Sequence, residues 1–239
     1  MNQKPISLLS SKKRYLQIAL NSTLEEARLI ITKLPQSDRI LIEAGTSLIK
    51  RYGEQGISNI QHWTAKRMTG ISSTASPVAP TIPYVVADLK TMDRGETEVE
   101  LAAKAGANAA TVLGNAPIET INAFIEKCEK NRMDAMVDMM NVPYPLAVLS
   151  SLKTQPRVVV LHLGVDEEAY NKQKKVPLHE IRRIKGRYSL MIAIAGGDTL
   201  REVQSAIFND ADIVVIWKSV FQSTNETINI IEGFLKQIK

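Results

Sequence analysis

The sequence predicts a (β/α)8 barrel, a TIM barrel, folded as a single domain over residues 1–239. Three observations carry that expectation. Short apolar, β-branched runs alternate with helical patterns along the whole chain. There are eight such runs, and from the third to the sixth their ends fall at Asp88, Gly114, Asp138 and His162, 24 to 26 residues apart. Polar residues gather where the runs stop, as they do at the carboxyl ends of barrel strands.

The strand candidates are 15–20, 40–43, 84–87, 109–113, 135–137, 158–161, 190–194 and 213–216. Continuous runs such as VVVL and DIVVI suit strands covered on both faces, as in a parallel sheet. A helix is expected over 22–34, where Ser22 or Thr23 can cap and Glu25 and Glu26 favour the first turn. A second lies at 94–105, stopped by Gly106. Pro117 opens a third at 117–130, a position that tolerates proline. Thr199 and Glu202 have capping-box spacing before a helix at 199–208, and the last helix covers about 224–237. An open doubly wound sheet is the alternative, weakened because no G-x-G-x-x-G follows the first strand. The interval from Glu43 to Asp88 is about twice the usual step. It holds a long excursion at about 57–83, whose Ser-, Thr-, Ala- and Pro-rich part, TGISSTASPVAPTIP (69–83), reads as loop-like, a dimer arm or ordered flap rather than a second domain.

Composition narrows the function. Apolar residues make up 44% and charged residues 23%, an ordinary globular balance. No apolar stretch reaches the ~20 residues of a membrane span, and no secretory leader is evident, so a cytoplasmic protein is expected. The lone cysteine, Cys128, excludes an internal disulfide and a multi-Cys zinc site. The net charge is +5, with a basic stretch at 172–187 that reads as a solvated helix face and loop. Few aromatic residues flank it, so neither nucleic acid nor membrane is expected as a partner.

The polar residues at the run ends are Asn21, Glu43, Asp88 with Lys90, Gly114, Asp138, His162, Gly196 with Gly197, and Lys218. Glu43, Asp88 and Asp138 can converge near the barrel axis, where carboxylates repel unless a cation or lysine intervenes. Oxygen ligands of that kind suit Mg2+. Lys90 and Asp93 complete a D-x-K-x-x-D stretch, which in isolation is as well explained by a surface ion pair beside a helix start. His162 suits proton transfer or, in isolation, a satisfied rim position. Gly196 and Gly197 would let backbone N–H groups approach a phosphate, with Lys218 adding charge, or would only serve a tight turn.

In order along the chain, the segments LQIALN (16–21), IEAGTSLIKRYG (42–53), VADLKTMDRGETEVELAAKAGA (86–107), TVLGNAP (111–117), MVDMMNVPYP (136–145), HLGVDEEA (162–169) and AIAGGDT (193–199) resemble the orotidylate decarboxylase superfamily. The resemblance is nearest to the branch containing 3-hexulose-6-phosphate synthase and 3-keto-L-gulonate-6-phosphate decarboxylase. It implies a Mg2+-dependent lyase, generally a homodimer with sites near the subunit interface, acting on a phosphorylated pentulose or hexulose. Glu43 and Asp88 match the metal carboxylates. Asp88, Lys90, Asp93 and His162 match catalytic positions, Asp93 reaching toward the partner's site. Asn21, Glu43, Asp138, Gly196, Gly197 and Lys218 match positions that bind substrate. HLGVDEEA resembles the synthase, since the decarboxylase carries Arg where this chain has Val165. The implied reaction is reversible aldol addition of formaldehyde to D-ribulose 5-phosphate. The alternatives are a related sugar-phosphate decarboxylase or aldolase, and a non-catalytic homologue. The chain departs from the family in Asn21, where Asp is usual, and in Trp217-Lys218, where Gly-Arg is usual.

Overall fold

The computed structural model describes residues 7–69, 83–196, 199–217 and 224–238. Eight parallel strands close into a barrel in chain order: β1 (Tyr15–Leu20), β2 (Ile40–Ala44), β3 (Val85–Thr91), β4 (Ala109–Leu113), β5 (Asp134–Asp138), β6 (Val158–His162), β7 (Met191–Ala195) and β8 (Ile213–Ile216). β1 pairs with both β2 and β8, which closes the ring. The helices are α1 (Leu24–Lys33), α2 (Thr46–Thr69), α3 (Gly95–Lys104), α4 (Ile118–Lys130), α5 (Pro145–Ser151), α6 (Val165–Tyr170), α7 (His179–Lys185), α8 (Leu200–Phe208) and α9 (Thr224–Gln237). No described helix is long and apolar enough to cross a membrane.

The alternation of side chains along each strand makes two cores. The outward set, including Leu16, Ile18, Ile42, Val85 and Val159, packs beneath helical residues such as Phe124 and Phe234. The inward set fills the barrel: Tyr15, Leu41, Val86, Met136, Val158, Met191 and Ile213. Toward the carboxyl ends the inward positions shrink to Ala19 and Ala195, and the space they leave becomes a cavity.

Local capping follows the sequence. Thr23 accepts a hydrogen bond from the Glu26 N–H at 3.3 Å and caps α1. Thr199 and Glu202 form the capping box of α8. At the start of α3, Arg94 is left-handed (φ 56°), and Gly95 is obligatory for space, since a Cβ there would lie 2.9 Å from the Thr120 carbonyl oxygen.

One expectation is corrected. Residues 57–69 are not part of an excursion; they continue α2, burying Ile57, Ile60, Thr64 and Met68 at helical spacing. α2 consists of two helices joined at Gly53, whose φ of 59° and ψ of −147° only glycine adopts readily. The Ser/Pro-rich remainder at 70–82 lies outside the described residues. The basic stretch 172–187 forms a loop and α7, with Lys174 paired to Glu167, and Lys185 held by Asp210 at 3.1 Å and Asp212 at 2.9 Å.

Candidate active site

The cavity opens at the carboxyl end of the barrel and has a volume of about 350 Å3, the range of small-molecule sites. Strand ends supply its polar wall: Asn21 after β1, Glu43 from β2, Asp88 and Lys90 from β3, Thr111 from β4, Asp138 from β5, and His162 from β6. Parallel strands in a closed barrel deliver inward-facing residues to one circle, so positions remote in sequence meet.

β3 departs from regular pairing as it enters the site. It advances from Ala87 to Thr91 while β4 advances only from Ala110 to Val112. Lys90 sits in this irregularity with φ 48°, a left-handed conformation uncommon for a residue with a side chain. Its N–H leaves the strand ladder and donates to Thr111 Oγ1 at 2.9 Å. The Thr111 hydroxyl in turn donates to Asp88 Oδ1 at 2.8 Å. Thr46, at the start of α2, donates to Asp88 Oδ2 at 2.7 Å. Two hydroxyls thus fix the Asp88 carboxylate.

Lys90 is the hub of charge. Its Nζ lies 3.0 and 2.9 Å from the two oxygens of Asp88 and 3.1 Å from Asp138 Oδ2. Burial works against its ammonium, but Asp88 and Asp138 outweigh that and raise its pKa above the ordinary lysine value. Asp138 Oδ2 also lies 2.8 Å from His162 Nδ1, and the Met140 N–H donates to Oδ1 at 2.9 Å. Burial opposes the Asp138 charge, yet the His162 bond and Lys90 hold its pKa below the usual carboxylate value. The same bond, against the effect of burial, raises His162. With Nδ1–H committed to Asp138, Nε2 is the ring nitrogen left for a ligand.

Glu43 is the strained carboxylate. Burial, then the nearby Asp88 charge, push its pKa up to about 7, and Lys90 and a hydrogen bond from Gln17 only partly offset this. Gln17 Nε2 donates to Glu43 Oε2.

Other expected residues fall into place unevenly. Asn21 lines the cavity over Gly45, where a Cβ would lie 2.2 Å from Asn21 Oδ1. Gly196 lines it with φ 102°; a Cβ there would be 2.7 Å from the Leu163 carbonyl oxygen, so the turn requires glycine on both counts. Asp93 is exposed beyond β3 and does not line the cavity of its own chain. Gly197 and Lys218 lie outside the described residues. Trp217 and Val165 line the cavity. Thr111, Thr46 and Gln17 belong to the site without having been singled out. The available signal was a polar residue in the inward register of an apolar run, as at Gln17 and Thr111. Among the described residues, no group of three or more His, Cys, Asp and Glu side chains is arranged to hold a metal by itself.

The chain is similar to known proteins over most of its length. The sequence profile of the orotidine 5'-phosphate decarboxylase / HUMPS family matches residues 14–229. A "Bifunctional enzyme Fae/Hps" of Methanothrix thermoacetophila is 36% identical over 227 residues, 94% of this chain and 53% of that protein. The one of Methanosarcina mazei is 38% identical over 207 residues, covering 86% of this chain and 48% of its own length. The chain therefore spans about half the length of these relatives. Among solved structures, 3-hexulose-6-phosphate synthase from Salmonella typhimurium superposes with a TM-score of 0.75 at 27% identity, covering 93% of this chain and 99% of the other. A 3-keto-L-gulonate-6-phosphate decarboxylase from Vibrio cholerae gives 0.74 at 20% identity, covering 95% and 97%, a likeness of fold.

Proposed function

The chain belongs to the orotidine 5'-phosphate decarboxylase / HUMPS family, and on that premise we propose that it is a lyase of the 3-hexulose-6-phosphate synthase type. The reaction is reversible aldol addition of formaldehyde to D-ribulose 5-phosphate. The observation that carries the proposal is the buried chain Asp88–Lys90–Asp138–His162 at the cavity wall. It joins an imidazole and an ammonium through one Asp138 oxygen, a pairing that suits enediolate chemistry and supports the reading of His162 as the proton-transfer group.

His162 Nε2 takes a proton from the hydroxymethyl carbon beside the substrate carbonyl. Asp138 holds the ring and stabilises the imidazolium that results. The electron pair left behind delocalises onto the carbonyl oxygen, and Lys90 donates a hydrogen bond to the enediolate. The enediolate carbon bonds to formaldehyde, whose oxygen takes the proton back from His162. No proton is gained or lost overall. Val165, apolar at the cavity edge, stands where the related decarboxylase carries Arg, and this supports addition over decarboxylation.

The side chains also fit Mg2+. Their donors are oxygens, and burial and the nearby Asp88 charge raise the Glu43 pKa, a repulsion that a cation between the two carboxylates would relieve. Glu43 and Asp88 would hold the ion, the remaining positions being left to substrate and water, which is usual for Mg2+. Bound there, it would supply Lewis-acid stabilisation of the enediolate charge. Asp93, exposed on its own chain, would serve the cavity of a partner in a homodimer. Asn21 and Trp217 line the cavity where Asp and Gly are usual, and they favour as a second reading another ketose phosphate handled by the same chemistry.

The test is formaldehyde-dependent loss of D-ribulose 5-phosphate with Mg2+, beside EDTA and Asp88→Ala controls. Turnover lost in both controls is expected. A folded protein with no turnover contradicts the synthase reading.

A further inference from the structure

Gln17 lies in the middle of β1, two residues before Ala19 and four before Asn21, so it faces the cavity from its floor rather than its rim. It is 3% exposed, and its register partners are Leu41 on β2 and Val215 on β8. An amide is a costly residue to place among apolar side chains, because both its ends require partners. Only one end has one. Nε2 donates to Glu43 Oε2. Toward the ionised carboxylate, the form that would hold a cation, only the N–H2 end of the amide can bond, and this sets which end of Gln17 faces Glu43. The other end, Oε1, is one of four buried side-chain atoms without a hydrogen-bond partner among the described residues, and Gln17 is the only one of their four residues that lines this cavity.

The surroundings limit what can satisfy Oε1. The flanking register positions Leu41 and Val215 offer no donor, and none of the hydroxyl, imidazole or ammonium groups on the cavity wall bonds to Oε1. The unmet group is an acceptor, so its ligand must bring an O–H or N–H.

We propose that Gln17 Oε1 is a preformed acceptor for the substrate's C1 hydroxyl, the one on the hydroxymethyl carbon beside the carbonyl, and so a binding and specificity residue of this cavity. This rests on the reading of the substrate as a ketose phosphate. Gln17 then does two things with one amide. Its N–H2 orients Glu43, and its oxygen selects ligands that carry a hydroxyl at the deep end. A ketose phosphate lacking that hydroxyl would leave Oε1 buried and unpaired, and such sites reject the deoxy analogue strongly.

The experiment is direct binding by calorimetry, with Mg2+ present, of D-ribulose 5-phosphate and its 1-deoxy analogue to the full chain and to Gln17→Met. The natural chain should prefer D-ribulose 5-phosphate by tenfold or more. Gln17→Met should bind the two within twofold of each other. Gln17→Ala, which leaves room rather than bulk, repeats the comparison should the methionine variant not fold. A preference unchanged in a folded variant, or no preference in the natural chain, overturns the inference and shows that Oε1 is met by water alone. Failure of the natural chain to bind D-ribulose 5-phosphate at all would instead overturn the substrate reading, and this inference with it.

Discussion

Strand β5 carries a carboxylate at each end, and the two are solved in opposite ways. Asp134, at the amino end of the barrel, accepts hydrogen bonds from the hydroxyls of Ser7 and Tyr84, both at 2.7 Å. Asp138, four residues further on at the other end of β5, accepts from the Lys90 ammonium and the His162 ring. Hydroxyl partners near neutrality have no proton to give or take; Tyr84 is raised further from its ordinary value by burial and by Asp134. Of the partners of Asp138, Lys90 keeps its charge, held there by the carboxylates, and His162 is the one whose proton can be exchanged. The same residue type therefore sits among hydroxyls at one end of the strand and among charged groups at the other.

The comparison can be broken by removing one partner at a time. The largest effect is expected at the carboxyl end. Asp138→Asn keeps the shape but loses the charge that orients and supports His162, so kcat should fall by roughly 10²–10⁴-fold, the range of a positioned proton-transfer group. Its melting temperature should change little compared with that loss. Steady-state kinetics beside a melting curve distinguish the two.

Next in size is a gain. The Glu43 pKa rises from the ordinary 4.5 to about 7. An acid with a raised folded pKa contributes stability below its unfolded value, and that contribution is lost as pH rises through the folded one. At pH 8 Glu43 therefore destabilises the ligand-free chain, by at most roughly 3 kcal/mol. Glu43→Gln should be more stable than the natural chain at pH 8 and not at pH 4, while losing turnover. Chemical denaturation at the two pH values reads this directly.

At the amino end the sign reverses. Tyr84→Phe removes one of two donors to Asp134 and should lower stability by about 1–2 kcal/mol, leaving kcat/KM within twofold. A tenfold loss of activity would mean that the two ends are coupled.

The smallest effect is a pH dependence. Burial works to lower the His162 pKa, but Asp138 outweighs it and raises it above the ordinary 6.5. Its contribution to stability is complete below 6.5 and is lost as pH rises through its higher folded value. His162→Gln should flatten that part of the stability profile, and Asp138→Asn should flatten it equally.

The two ends also differ in how readily the sequence reveals them. Barrel closure was legible because strands covered on both faces read as unbroken apolar runs, and Glu43, Asp88, Lys90, Asp138 and His162 stood out where those runs stop. Thr111 and Gln17 were hidden because they lie inside runs, where a single polar residue reads as an interruption of the core. The helical character of 57–69 was present in the spacing of Ile57, Ile60, Thr64 and Met68 but was masked by the Gly53 break and by the Ser/Pro-rich residues that follow. Asp93 follows from the family resemblance, which implies that it reaches toward a partner's site; the turn after β3 takes it out to the surface of its own chain.

The most direct test of the contrast is turnover of D-ribulose 5-phosphate with formaldehyde and Mg2+, measured side by side for the natural chain, Asp138→Asn and Tyr84→Phe. The expected result is activity in the natural chain and in Tyr84→Phe, with Asp138→Asn reduced at least a hundredfold. Equal losses in the two variants, or full activity in Asp138→Asn, would contradict the assignment of chemistry to the carboxyl end of β5.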